Sequence, residues 1–122
     1  MTRQTDSRSE SWEQRELIQY IKKYPWGKYV FHICNESVGG YAWQVRNRQL
    51  GVRKGVPDLF LPIPMYGRHG LFVEMKREKG GSLSREQRMW INLLSEVGYQ
   101  VEVCHGWKQA AEAMERYMHE GN

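Results

Sequence analysis

Two short segments of the chain place charged residues among apolar, β-prone neighbours. The first, Gly55-Val56-Pro57-Asp58, enters a short strand, and the second is the run Leu71-Phe72-Val73-Glu74-Met75-Lys76. Side chains alternate between the two faces of a strand, so Glu74 and Lys76 should project side by side from one face. The residues between the segments include prolines and glycines typical of a hairpin turn. We therefore expect antiparallel pairing to bring Asp58 close to Glu74.

The chemistry that suits this arrangement is phosphodiester hydrolysis assisted by a hard divalent cation. The carboxylates of Asp58 and Glu74, with the backbone carbonyl of Met75, could hold Mg²⁺ or Mn²⁺ and leave positions for water and a phosphate oxygen. Lys76 could orient or deprotonate the attacking water, or stabilise the transition state as a fixed cation. The alternative is a surface hairpin with an ordinary Glu–Lys pair. Pro57-Asp58 at hairpin distance, and the helices that flank it, favour the metal site.

The spacing of these residues resembles a known nuclease signature. Pro57-Asp58, followed after fifteen residues by Glu74-x-Lys76, is similar to the PD-(D/E)xK pattern. The longer pattern, which adds Leu83-Ser84-x-x-Gln87 and a Gly98-Tyr99-x-Val101-x-Val103-Cys104-x-Gly106-Trp107 run, resembles the virus-type replication-repair nuclease (VRR-NUC) family in its stand-alone, phage-like form. The resemblance implies a restriction-endonuclease-like α/β fold, a divalent metal, and endonucleolytic cleavage of DNA. It further implies branched DNA such as four-way (Holliday) junctions as substrate, and a homodimer.

Composition is compatible with this hypothesis and excludes some other classes. The chain has 122 residues, a net charge of +4 and a pI near 9.2, which suits one mildly basic domain. We expect that domain at 11–119, with flexible ends at 1–10 and 120–122. Cys34 and Cys104 fit no metal-ligand spacing, and none of the four histidines is expected to bind metal. We expect no membrane insertion, no organic cofactor, and a location in the cytoplasm of a bacterial or phage-infected cell.

The first helix is expected to supply one more acid. Ser11 and Gln14 form a capping-box pattern that predicts a helix ending near Tyr24-Pro25. On a helical wheel Glu13 turns toward the apolar face, whereas Glu16 does not. Since many nucleases of this superfamily carry an acid on the first helix, the resemblance implies that Glu13 completes the catalytic pocket, with Glu16 in reserve. The alternative is that Glu13 only complements the helix dipole.

Two basic segments are candidates for contact with the DNA backbone. Residues 40–54 combine the aromatics Tyr41 and Trp43 with four basic residues, Arg46, Arg48, Arg53 and Lys54. The alternative is a solvated helix with Trp43 and Val45 against the core. Arg77 and Lys79, in the turn after the Glu74–Lys76 strand, are the other candidates. Between the first helix and this segment, residues 29–34 predict a strand and residues 35–40 a loop, in which a family role for Asn35 is doubtful.

The remaining elements complete a central mixed sheet flanked by helices. Ser84 and Gln87 predict a capped second helix whose buried stripe is Trp90, Ile91, Leu94 and Val97. Gln87 turns inward, either as a capping residue alone or, as the resemblance implies, as a catalytic residue that positions the lysine or water. Residues 99–104 alternate as a strand. The closing helix carries Ala110, Ala111, Met114, Tyr117 and Met118, which predict core or a dimer face.

Two other functional classes remain open from the sequence. One is a non-catalytic DNA-binding module on the same fold, and the other is a subunit of a larger repair or replication assembly. The residues also leave open whether one metal ion or two would bind.

Overall fold

A computed structural model describes residues 8–34 and 40–119 of the chain. The helices are α1 (Glu10–Ile21), α2 (Tyr41–Gln49), α3 (Arg85–Glu96) and α4 (Trp107–His119). The strands are β1 (Phe31–His32), β2 (Leu59–Leu61), β3 (Leu71–Lys76) and β4 (Gln100–His105). The predicted Asn35 role, and most of the two expected flexible ends, lie outside the described residues.

The four strands form one mixed sheet in the order β1-β2-β3-β4. The β1–β2 and β2–β3 pairs are antiparallel, and the β3–β4 pair is parallel. The predicted α/β fold is thereby confirmed. The strand predicted at 29–34 is wrong in extent, because Gly27–Tyr29 forms a 3-10 turn and β2 offers only three residues for pairing.

The hydrophobic core lies between one face of β3 and two helices. Leu71, Val73 and Met75 point to this face, as the alternation predicts, and they are buried together with apolar residues of α1 and α4. From α4 the buried residues include Ala110, Ala111, Met114 and Tyr117. This helix is therefore core, and the alternative that it forms a dimer face is wrong for these residues.

The first helix begins two residues earlier than the sequence predicts. Ser9, and not Ser11, is the N-cap, since its hydroxyl accepts the Trp12 N–H at 3.0 Å. Both serines are good capping residues, and the Ser9 register is the one that places Glu10 and Glu13 in the first turn. The helix ends at Ile21, before the predicted Tyr24-Pro25 boundary, and a turn follows it.

Helices α2 and α3 lie at the surface of the domain. No residue of α2 is buried, and Trp43 keeps 48% of its surface exposed, so its placement against the core is wrong. The α3 stripe is half-buried at Trp90, Ile91 and Leu94, but Val97 is 60% exposed, contrary to its prediction as buried. Among the described residues, no helix is long and apolar enough to cross a membrane.

Candidate active site

The β2–β3 hairpin brings the two predicted carboxylates together. Leu59 pairs with Val73, and extending this register by one residue places Asp58 opposite Glu74. The Asp58 carboxylate also accepts the Met75 N–H, at 2.7 Å from Oδ2. The two carboxyl groups interact electrostatically, and besides burial the negative charge of Asp58 raises the pKa of Glu74. The sequence prediction that the hairpin joins these two residues is confirmed in its geometry.

Glu74, Lys76 and Gln87 form one hydrogen-bonded group beside the pair. The Gln87 Nε2 group donates to Glu74 Oε2 at 3.0 Å, and the Lys76 ammonium donates to Gln87 Oε1 at 3.1 Å. Lys76 Nζ lies 3.8 Å from Glu74 Oε2. Glu74 and Lys76 are both buried, at 2% and 6% exposure, although they are charged residues in a strand. Gln87 therefore holds the Glu74 carboxyl and the Lys76 ammonium in a fixed position relative to each other.

Gln87 reaches β3 because it stands in the first turn of α3. The Ser84 hydroxyl accepts the Gln87 N–H at 3.1 Å, and Gln87 Oε1 accepts the Ser84 N–H at 2.8 Å, which makes a complete capping box. Gln87 is thus both a capping residue and a hydrogen-bond partner of the charged β3 side chains, and the sequence had left these two roles as alternatives. One Gln87 oxygen serves both the cap and the Lys76 ammonium.

The carboxyl groups of Asp58 and Glu74 both have raised pKa values. Burial, followed by the negative charge of Asp58, raises the pKa of Glu74 to about 8 from its usual 4.5, although the Lys76 charge acts in the opposite direction. Burial also raises the pKa of Asp58, against the lowering effect of the Met75 N–H. Two carboxyl groups this close do not both ionise readily without a cation between them.

The donor set of this pair fits a hard cation such as Mg²⁺ or Mn²⁺. The N–H and C=O of one strand residue point to the same side of the strand. The Met75 N–H points toward Asp58, so the Met75 carbonyl points to that side as well. Mg²⁺ is commonly bound by one or two carboxylates with water completing its shell. The described residues contain no group of three or more His, Cys, Asp or Glu side chains that could hold a metal. A metal-ligand role for Asp58, Glu74 and the Met75 carbonyl stays a prediction.

Glu13 is buried as predicted, but it is engaged elsewhere. Its side chain is 3% exposed, whereas Glu16 is only half-buried. Glu13 Oε1 accepts the Trp107 N–H at 2.8 Å, at the start of α4. It joins no metal-holding cluster with Asp58 and Glu74 in the described chain. A catalytic role for Glu13 stays a prediction.

Sequence reasoning missed Glu10, one turn before Glu13. The Glu10 side chain is exposed, and its negative charge is the smallest of the named causes that raise the pKa of Glu74. A helix that begins after Ser11 leaves Glu10 in the expected flexible end at 1–10. The signal that could have found it is Ser9, which is an equally good N-cap and makes Glu10 the first helical residue.

The predicted DNA-contacting residues are all exposed. Arg46 and Arg48 lie in the last turn of α2, and the Arg53 guanidinium donates to the Arg48 carbonyl at 3.4 Å. Lys54 follows them before the Asp58 segment, and Arg77 and Lys79 follow β3 directly. These six residues flank the two chain segments that carry the carboxylates. Their contact with DNA stays a prediction.

A mixed sheet with Asp58 directly before β2 and with Glu74 and Lys76 on β3 has the arrangement that the PD-(D/E)xK nuclease pattern predicts. A sequence profile of the VRR-NUC domain matches residues 8–108, and the chain therefore belongs to the VRR-NUC domain family. A solved structure described as a VRR_NUC domain protein has the same fold, with a TM-score of 0.81 over 95% of this chain and 93% of that one, at 23% identity. No curated protein matches the chain. Family membership implies a nuclease-type function in DNA processing.

Proposed function

We propose that the protein is a Mg²⁺- or Mn²⁺-dependent endonuclease that cleaves branched DNA, such as four-way junctions, as a homodimer. The observation that carries the catalytic part is the Asp58–Glu74 pair, joined through Gln87 to Lys76. A buried glutamate beside a half-buried aspartate is costly to keep in a domain of this size, and a cation-binding role accounts for the pair.

In this proposal the Asp58 and Glu74 carboxylates would hold the cation once Glu74 has lost its proton, and Met75 would add its carbonyl. A bound Mg²⁺ lowers the pKa of coordinated water and offsets negative charge on the phosphate. The Lys76 ammonium, which donates to Gln87, would donate to the attacking water or to a phosphate oxygen. Because Gln87 fixes both β3 side chains, it acts as a positioning residue.

The homodimer is supported by an exposed apolar ridge on α3. Met89, Leu93 and Val97 are spaced four residues apart and are 47%, 43% and 60% exposed. Residues at this spacing share one face of a helix. The same helix carries Gln87, so a second copy bound here would place two sites in one particle. Symmetric cutting of a junction requires two such sites related by a two-fold axis.

A cleavage assay tests the catalytic proposal. Four-way junctions, flaps, single strands and plain duplexes would be incubated with the protein in Mg²⁺, in Mn²⁺ and in chelator. Asp58→Ala, Glu74→Ala and Lys76→Ala should each lower the cleavage rate by roughly a hundredfold or more. Glu102→Ala is the matched control, since Glu102 is an acid on the neighbouring strand, paired with Val73. Full activity of the three variants would overturn the proposal, and DNA binding without any cleavage would indicate a non-catalytic module.

Light scattering tests the dimer separately. Leu93→Glu should convert the protein to a monomer, because a carboxylate would be buried in an apolar contact. Asn92→Glu, at the adjacent exposed position, should leave the mass unchanged. A monomeric wild-type chain at micromolar concentration would refute the dimer and leave the catalytic proposal intact.

A further inference from the structure

A cavity lies at the end of β4, at the same end of the sheet as the candidate active site. Its volume is about 290 Å³, and it is enclosed by the first turns of α1 and α4. The aromatic and charged side chains of its lining are two tryptophans, three basic residues and two acids: Trp12, Trp107, Arg8, Lys108, His105, Glu13 and Glu78. No role in the proposed hydrolysis depends on its aromatic members.

The aromatic side chains of this cavity are paired with cations. The Arg8 guanidinium carbon lies 4.6 Å from the centre of the Trp12 ring, and Lys108 Nζ lies 5.9 Å from that of Trp107. Both tryptophans are only half-buried, so their rings are accessible from the cavity. Aromatic rings with basic neighbours are the usual means by which proteins bind unpaired nucleotides, because bases stack on the rings while the cations attract phosphate.

The negative charge of Glu13 favours the base of a nucleotide over its phosphate in this cavity. Its carboxylate is buried and already accepts the Trp107 N–H, so the first turn of α4 is occupied by an anion. A phosphate placed there would be repelled by the carboxylate. A base is uncharged and carries N–H groups that a carboxylate oxygen can accept. The deep part of the cavity therefore suits a base, and Arg8 and Lys108 suit its phosphates.

The cavity is one strand away from Lys76. His105 pairs with Lys76 in the parallel β3–β4 register, and the Gly106 N–H donates to the Lys76 carbonyl at 2.9 Å. Neighbouring strands are about 5 Å apart. The cavity and the candidate active site therefore lie at the same end of the sheet, the cavity beside α1 and α4 and the Lys76 ammonium beside Gln87 of α3.

We propose that this cavity takes one unstacked nucleobase from a single-stranded segment of the DNA substrate. The inference rests on the proposed function for its choice of DNA as ligand. It deepens that function by giving a reason for a branched substrate, since nucleotides at junctions and flaps leave the stack at less cost than those in a continuous duplex. The site then selects DNA by an unpaired base and not by sequence.

Binding without metal tests this inference independently of cleavage. The anisotropy of three labelled probes would be measured in chelator: a single strand of about eight nucleotides, the same sequence as a blunt duplex, and the same strand with abasic sites throughout. Trp12→Ala should weaken binding of the intact single strand by roughly five- to 150-fold, which is the loss of affinity expected when one base no longer stacks on an aromatic ring. The abasic strand and the duplex should be affected by no more than about twofold.

Tyr29→Ala is the matched control, because Tyr29 is an exposed ring with Lys28 Nζ at 5.4 Å and it does not line the cavity. It should leave all three affinities unchanged. An equal loss for single strand and duplex in Trp12→Ala, or no loss, would overturn the inference. If that variant does not fold, wild-type protein that binds the abasic strand as tightly as the intact strand overturns it. A protein that shows the Trp12-dependent binding but cleaves nothing would support the cavity and refute the nuclease proposal.

Discussion

Binding of a divalent cation should weaken as the pH is lowered below about 8, because Glu74 then holds a proton. Burial and the charge of Asp58 raise the Glu74 pKa, and both effects oppose the carboxylate form that a cation requires. Cation binding and proton binding therefore compete for the same oxygen atoms. The perturbation is a pH series measured on the wild-type protein.

The size of the effect follows from the pKa. With a pKa of about 8, roughly ten of every eleven molecules hold the proton at about pH 7, so the apparent affinity should be about tenfold weaker there than at about pH 9. Each further pH unit downward should cost about another tenfold. A carboxylate with an ordinary pKa would show no change over this range. Each cation bound at about pH 7 should release about 0.9 proton.

Titration calorimetry in two buffers of different ionisation enthalpy measures both quantities. Mn²⁺ under anaerobic conditions is a suitable probe, and the difference in apparent enthalpy between the buffers gives the number of protons released. Glu74→Gln removes the competing proton together with the ligand and should abolish binding. Glu102→Gln, a change on the neighbouring strand, should reproduce the wild-type pH dependence.

Two results would refute the reasoning. The first is a Mn²⁺ affinity that stays constant between about pH 6 and pH 9, which would mean that Glu74 is ionised without a cation. The second is tight binding by Glu74→Gln, which would place the cation on other residues.

Three further predictions concern stability. The raised pKa of Glu74 gives the metal-free fold a stabilisation that is complete below pH 4.5 and is lost as the pH rises through about 8. Denaturation with urea at about pH 9 should therefore find Glu74→Gln more stable than wild type by a few kcal/mol. Ser84→Ala should cost about 1 kcal/mol in the same assay through loss of the helix cap, and should also lower activity because Gln87 loses a partner. Gly55→Ala should cost about 1–3 kcal/mol, since Gly55 has a φ of +95° and an added Cβ would lie 2.6 Å from the α3 backbone. Gly51→Ala, with a φ of +101° and open space around it, is the control that separates backbone strain from this contact, and an equal loss in both would contradict the predicted α3 clash.

The sequence predicted the centre of the site well because that part depends on local rules. Strand alternation and a short hairpin are enough to place Asp58 opposite Glu74, and Lys76 follows from a period of two. The capping box at Ser84 is equally local. These features need no knowledge of how the helices pack on the sheet.

The failures share a different cause, which is tertiary context. Two serines two residues apart offer equally good caps, and local rules do not choose between Ser9 and Ser11. A helical wheel correctly turned Glu13 inward, but it carries no information on the partner, which is the Trp107 N–H from the other end of the chain. The same limit applies to Val97, whose apolar character predicted burial although the helix leaves it 60% exposed.

The double role of Gln87 links the fold to the chemistry. Its amide completes the α3 cap through Ser84 and also spans Glu74 and Lys76, so the start of α3 cannot move without disturbing both charged groups. Gly55 approaches the same turn of α3 from the segment that carries Asp58. The segment before β2, strand β3 and the start of α3 thus meet in one small contact region. Gly55 is required there because a side chain would clash with α3, and the Gln87 amide is required because it bonds to both Glu74 and Lys76. This arrangement explains how a domain of 122 residues keeps the Glu74 carboxyl and the Lys76 ammonium buried 3.8 Å apart, beside the half-buried Asp58.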